Sequence, residues 1–484
     1  MAVFSLLVPL VVLALSVVLG YLAQQQESPP PLTTAPCTND EWLSVSLDPA
    51  VEGWMASGSN KLPLLDPCHV FSETYVESRR KFRQAASKVG AEWHRLPIAI
   101  PPSLQVDGFL AGTDDDDTEY TIDIAVLYGT KPGLAVHTAG VHGVEGYAGA
   151  PIQIAFLESI YPLLKQQELP TMVLIHAVNP FGMAHYRRFN ENNVDLNRNG
   201  LHPEEWKQLL HSISTTSHQD TPYAQFHTLF NPKGPPNWLY ATVTLLAHAI
   251  QQLAIHGFFT LKAALVTGQY YDPKGIFYGG NELQPSLRVL YDFFQETLLA
   301  EKEQQSTTEA DDDTDGEEAT KTNAKCCTGT VTWIDVHTGL GPSGSDSLVV
   351  DKESMSVVEQ QAPIWFPGAH MPHLSEQAQD VNKGYEDAMG FTPCLFRRLF
   401  APEQNYCAAA QEFGTVPGLL VAHSLILENR AFHHVASRQE ALQWAQSTTK
   451  RAFYKQTPTW RRQILDRGMQ LWLQAIRRSA LADD

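Results

Sequence analysis

The chain lacks most of the signatures by which hydrolases and metal proteins are usually recognised. Neither HExxH nor HxxEH occurs, which excludes the helical zinc sites built on those patterns. There is no G-x-S-x-G turn to carry a nucleophilic serine and no Cys-x-x-Cys pair to start a structural zinc site. No Asn-x-Ser/Thr acceptor for N-glycosylation is present either. Basic residues are scarce, with 34 Lys and Arg against 53 Asp and Glu and a formal net charge of −19. That balance argues against nucleic acid or an anionic membrane surface as partner. Much of the acidity falls in two runs, 114–117 and 301–318. Both lack the spaced ligands and the glycine of a calcium loop and read as solvated loops.

What is present is an ordinary globular composition, 43% apolar and 18% charged, over 484 residues. That is long enough for a large core. Residues 2–23 carry no charge and are almost wholly apolar. They lack a basic leading region, and about 20 apolar residues can span a bilayer. The segment therefore reads as a signal peptide or a retained signal anchor, with the bulk of the chain lumenal or extracellular. Residues 24–36 form a polar, proline-rich linker. Residues 37–480 are expected to be a single catalytic domain, interrupted at about 301–327 by a disordered acidic insertion. Cys37 with Cys68, and Cys394 with Cys407, are candidate disulfides; the vicinal Cys326 and Cys327 have no evident partner.

Along the chain, 75–93 has the spacing of an amphipathic helix. Residues 120–127 and 133–137 read as strands joined by a hairpin turn at 128–133. A helix at 148–161 and a strand at 171–178 follow, so 134–178 is strand, helix, strand. That pattern predicts a parallel crossover in an α/β sheet. Residues 182–200 (GMAHYRRFNENNVDLNRNG) are a loop rich in Arg and Asn, without periodicity. Helices are expected at 239–259 and 287–299, strands at 330–337, 394–400 and 407–413, and closing helices at 416–428, 438–445 and 460–477.

Three His-x-x-Glu strings occur: His142/Glu145, His202/Glu205 and His373/Glu376. Imidazole and carboxylate are ligands that catalytic zinc accepts, but the spacing alone selects none of the three. Position does. The strand at 133–137 runs into the glycine-rich turn that holds His142 and Glu145, a second strand ends at His337, and a third at Glu412. In open α/β sheets, ligands bind outside the carboxyl ends of the strands. His202 precedes a proline at a helix start, and His373 lies among prolines. His137, inside its strand, reads as structural.

Four blocks in this order resemble the zinc metallocarboxypeptidase superfamily: HGVEG (142–146), RRFNENNVDLNRN (187–199), IDVHTGLG (334–341) and QEFGTVPG (411–418). With GQYYDPKGIFYGGNE (268–282) added, the similarity is closest to a little-characterised subfamily. The resemblance implies a three-layer α/β/α fold with a mixed, largely parallel twisted sheet. It assigns one Zn2+ to His142, Glu145 and His337, the general base to Glu412 and the oxyanion contact to Arg188 or Arg187. A substrate carboxylate would fall to Arg198 with Asn197. Tyr385, between His337 and Glu412, is the candidate for a mobile tyrosine over that carboxylate.

The Gly after Glu145 and the Glu-Phe-Gly-Thr of the base block look closer to the branch that deacylates N-acyl amino acids, such as aspartoacylase and succinylglutamate desuccinylase. The expected function is thus zinc-dependent hydrolysis of an amide next to a free carboxylate. Carboxypeptidase action is placed first and deacylation of N-acyl amino acids second. A non-catalytic binding module on the same fold would have lost a ligand or the base, and this chain keeps every candidate.

Overall fold

The computed structural model describes residues 45–481 except 46, 56–65, 105–118, 165–167, 216, 219–220, 235–242, 301–326, 351–360, 362–363, 373–387, 402–404 and 435–438. The N-terminal apolar segment, the linker, the acidic runs, Tyr385 and the His373/Glu376 string lie outside the described residues.

A mixed seven-stranded sheet forms the centre. Its strands are β1 (Glu92–Pro97), β2 (Thr121–Leu127), β3 (Leu134–Ala139), β4 (Thr171–His176), β5 (Val331–Ser343), β6 (Asp346–Val350) and β7 (Tyr406–Gly414), in the spatial order β1-β2-β4-β3-β5-β7-β6. The four central strands β4, β3, β5 and β7 are parallel to their neighbours within that group. β1 and β2 on one side and β6 on the other join antiparallel. The parallel strands are buried along nearly their whole length, as sheets covered on both faces require.

Among the described residues, the helices of the layers and the cavity wall include α1 (Tyr75–Val89), α2 (Gly146–Ala155), α3 (Pro203–Thr215), α4 (Leu245–His256), α5 (Phe258–Val266), α6 (Pro285–Asp292), α7 (Thr392–Arg397), α8 (Gly418–His434), α9 (Gln439–Phe453) and α10 (Pro458–Ala480). α1, α2 and α10 cover one face of the sheet. On the other face the Trp333 ring of β5 packs against Phe294, just beyond α6, and Phe396 of α7, with centroids 5.3 and 4.7 Å apart. The result is the expected three-layer α/β/α arrangement.

α1 begins at Thr74, whose hydroxyl accepts from the Glu77 amide, while Glu77 reaches back to the Glu73 amide. It ends at Gly90, whose φ of 75° supplies the left-handed stop. The helix is therefore shorter than 75–93, and its last expected residues belong to β1.

Four expectations are corrected. The turn at 128–133 is not a hairpin, because β4 lies between β2 and β3 and pairs with both. The segment read as a strand at 394–400 contains α7 instead, opened by Pro393 in its first turn, where proline's fixed φ suits a helix start. Cys394 and Cys407 are thiols and not a disulfide, while Cys327 is in a disulfide. Of the pair Cys37 and Cys68, Cys37 lies outside the described residues. The expected helix at 239–259 is replaced by α4 and α5, which meet at 110°. The bend falls at Gly257, whose φ is 81°. Among the described residues no single helix is long and apolar enough to cross a membrane.

Candidate metal centre

The carboxyl ends of β3, β5 and β7 deliver the site. After β3 the chain turns through Gly140, whose φ of 70° favours glycine. It then turns through Gly143, where any Cβ would run into the backbone of Gly182 and Met183. This close approach places His142 and Glu145 three residues apart on one turn of 3-10 helix. Two further amides fix the turn to the Arg-rich loop: Gly143 donates to the Arg188 carbonyl and Val144 to that of Arg187. On β5, Trp333, Asp335 and His337 alternate onto one face of the sheet, as a period of two demands. On β7, Glu412 stands directly in register with His337, so both side chains project from the same face.

His142, Glu145 and His337 converge. His337 Nδ1 lies 2.9 Å from Glu145 Oε2 and 3.0 Å from His142 Nδ1, and His142 Nδ1 lies 3.1 Å from Glu145 Oε1. The three residues are buried, and their candidate ligand atoms all fall within 4.8 Å of one another. The remaining ring nitrogens are both held by carboxylates: His142 Nε2 by Asp195 Oδ1 at 3.1 Å and His337 Nε2 by Asp335 Oδ2 at 2.8 Å.

A carboxylate only accepts, so each Nε2 carries the proton, and a neutral ring then leaves Nδ1 bare. Two lone pairs and the Glu145 carboxylate therefore face one point, a donor set that could hold a cation. Carboxylates behind ligating histidines are the usual outer shell of such centres. The donor set suits a metal ion.

The charges follow the same logic. Burial opposes the charging of His337, yet Asp335 and Glu145 hold its imidazolium well above the usual histidine range. Burial likewise opposes ionisation of Glu145 and Asp195. Even so, His142 and His337 keep the first carboxyl below the carboxylate range, and Arg188 and His142 keep the second far below it.

Asp335 is itself held in a chain. Trp333 Nε1 donates to Thr138 Oγ1 at 3.2 Å, and that hydroxyl donates to Asp335 Oδ1 at 2.7 Å. Glu412 lines the cavity in front of the cluster. Burial raises its carboxyl to about 7, with Glu145 adding to the rise and His337, His142 and Arg188 opposing it.

The two loop arginines separate. Arg188 lines the cavity, donates from Nε to Asp195 Oδ2 at 3.0 Å and from a terminal nitrogen to Glu145 Oε1 at 3.3 Å, and lies over the Phe277 ring. Arg187 is fully buried, donates to Glu428 Oε1 at 2.7 Å and Asn193 Oδ1 at 2.9 Å, and packs on Phe432. It is not brought to the cavity. Asn197 and Arg198 both border it. Asn197 accepts from the Thr392 amide at 2.9 Å. Arg198 donates to its neighbour's carbonyl and, through two nitrogens, to the Val266 carbonyl, the last of α5. It thus caps that helix as well as facing the cavity.

His137 lies on the opposite face, edge-on to Trp472, with burial driving its imidazole down to about 4. His202 starts α3, where Glu205 accepts from the His202 amide at 2.7 Å; this string is a helix cap.

Asp195 and Asp335, which hold the two histidines, are candidate site residues that sequence reasoning did not single out. Asp335 could have been found from its place two residues before His337, since a period of two puts both on one face. Asp195 stands in the DLNR block but gave no sign that it would reach His142. Phe277, whose φ is 55° and whose ring lies beneath Arg188, had no signal beyond its glycine-rich surroundings.

The fold and the site together define an α/β protein with a mixed seven-stranded sheet and a buried His-Glu-His cluster that could hold a metal ion. The chain belongs to the family described as "Protein of unknown function (DUF2817)", which it matches over residues 71–309 and 317–467. No curated protein matches it in sequence. Among solved structures it is similar to a crystal structure named "Putative metallopeptidase", from Shewanella baltica OS155. The identity is 14%, with 75% of this chain and 91% of that chain covered and a TM-score of 0.25.

Proposed function

We propose that the protein is a zinc-dependent hydrolase that cleaves an amide bond next to a free carboxylate. The observation that carries this reading is the convergence of two Nδ1 atoms and one carboxylate, each histidine backed by its own aspartate, beside a carboxyl titrating near neutrality. Zn2+ would be held by His142, Glu145 and His337, and when bound it supplies Lewis acidity that brings the ionisation of water towards neutral pH.

The chain's own residues do the rest. Glu412, with a carboxyl raised to about 7, takes a proton from the attacking water and returns it to the leaving amine. Arg188, at the edge of the cluster, donates to the oxyanion that develops on the scissile carbonyl, a contribution of about 3 kcal/mol. Arg198 and Asn197 receive the substrate carboxylate at the same cavity. Tyr385 remains the candidate to cover it.

Carboxypeptidase action is placed first; the Gly after Glu145, the Glu-Phe-Gly-Thr block and the apolar cavity described below favour a deacylase of N-acyl amino acids. Residues 2–23 support a place in the secretory pathway, as a secreted or anchored protein. Hydrolysis of substrates with free and amidated carboxylates provides the test. Cleavage of the free acids alone is expected, and equal cleavage of both would remove the carboxylate from the account.

A further inference from the structure

We propose that the substrate's acyl half is a long aliphatic chain, so that the site acts on N-long-chain-acyl amino acids. The inference rests on the amide-hydrolase reading above and names the class of substrate it takes. A second hydrophobic cluster exists apart from the core around the sheet. Leu229, Phe230, Leu245, Leu261, Leu265 and Ile426 belong to it and also line a cavity of about 690 Å³. That volume lies within the range for pockets that enclose a whole small ligand. The same cavity is bordered by His142, Arg188, Arg198 and Glu412. Val144, between the two ligands of the first turn, is itself part of the cluster. Apolar wall and reactive groups therefore share one space.

The chemistry of the wall decides between a peptide and a hydrocarbon. A peptide brings an N–H and a C=O with every residue, and each one buried without a partner costs free energy. Side chains such as Leu229, Phe230, Leu245 and Leu265 offer none. An aliphatic chain requires none. The cationic residues Arg198 and Lys262 at the same cavity suit the carboxylate at the other end of such a molecule. The apolar path continues outwards: Phe258 of α5 lines the cavity while 46% exposed, next to Phe259 and near Ile255, both also exposed. In the reaction water adds across the C–N bond, its hydroxyl to the acyl carbon and its hydrogen to nitrogen. A fatty acid and a free amino acid leave.

The test uses N-acetyl-, N-octanoyl- and N-dodecanoyl-leucine at concentrations below micelle formation. Turnover is measured with the zinc-loaded protein, and binding by calorimetry with Glu412→Gln. Affinity should rise by about fourfold per buried methylene until the chain fills the cavity. Ala249→Trp, which narrows the cavity, should lower dodecanoyl binding by about tenfold or more and leave acetyl binding unchanged. Leu253→Asn, at a half-buried wall position, provides the same comparison should the tryptophan prevent folding. Chain-length-dependent binding without turnover of any probe would retain the substrate class and remove the hydrolase reading. Acetyl and dodecanoyl probes binding equally would overturn the inference, whether or not either is hydrolysed.

Discussion

Asp335→Asn replaces one oxygen, one hydrogen bond behind the proposed ligand His337, and should weaken metal binding without disturbing the fold. Asp335 makes two charge-directed contacts, accepting from His337 Nε2 at 2.8 Å and from Thr138 Oγ1 at 2.7 Å. The asparagine has one accepting and one donating end. If its NH2 faces His337, the ring must present a bare Nε2 and carry its proton on Nδ1, where the metal is expected. If its oxygen faces His337, Thr138 loses its acceptor, and the ring loses the negative charge that raises its basicity. Either arrangement should cost on the order of 10- to 100-fold in metal affinity, or about 1.4 to 2.8 kcal/mol.

A second effect follows from linkage. In the metal-free protein the His337 pKa is raised above the ordinary 6.5, with Asp335 the largest raising influence. A raised histidine contributes stability that is full below about 6.5 and is lost as pH climbs through the folded value. Metal must displace that proton, so apparent affinity should climb with pH across the same window. Competition titrations against a chromophoric chelator at several pH values, with circular dichroism to confirm folding, measure both effects. An affinity and pH dependence equal to the parent protein's would refute the claim that Asp335 orients a ligand.

Glu412→Gln should keep zinc and lower hydrolysis by about 10²- to 10⁴-fold; undiminished turnover would mean the base lies elsewhere. Because Glu412 must be ionised to accept a proton and is raised to about 7 without metal, kcat/KM should fall on the acid side of neutrality. Metal charge would draw that limb to lower pH. Arg187→Met leaves Glu428 buried and unpaired, so it should lower stability by about 3 to 5 kcal/mol in denaturant melts. Arg188→Lys should instead reduce turnover by about 10²-fold or more. The opposite assignment of the two losses would reverse the roles given to these arginines.

The central strands could be read from the sequence because burial on both faces gives them continuous apolar runs, and in β3, β5 and β7 the polar residue at or just past the end of the run marks the site. β1 and β6 escaped notice for the opposite reason. They are short edge strands, and β1 is exposed or half-buried along its length, so no period of two or apolar run marks it. The false hairpin at 128–133 had proper turn composition. What no local pattern records is that β4, forty residues on, inserts between β2 and β3. Cys-Leu-Phe-Arg-Arg-Leu-Phe at 394–400 is compatible with strand or helix, and the Thr392-Pro393 start decides it.

The adjacent Arg187 and Arg188 are chemically identical in sequence. Only the fold sends one to Glu428 in α8 and the other to Asp195. Tyr186, whose φ is 54°, turns the chain just before them.

The most direct measurement is metal content. Protein loaded with zinc and freed of excess should hold one zinc per chain by atomic emission, and the His142→Ala, Glu145→Ala and His337→Ala variants should each hold almost none while remaining folded. Stoichiometric zinc retained by all three variants, or none bound by the parent chain, would contradict the metal centre on which the proposed function depends.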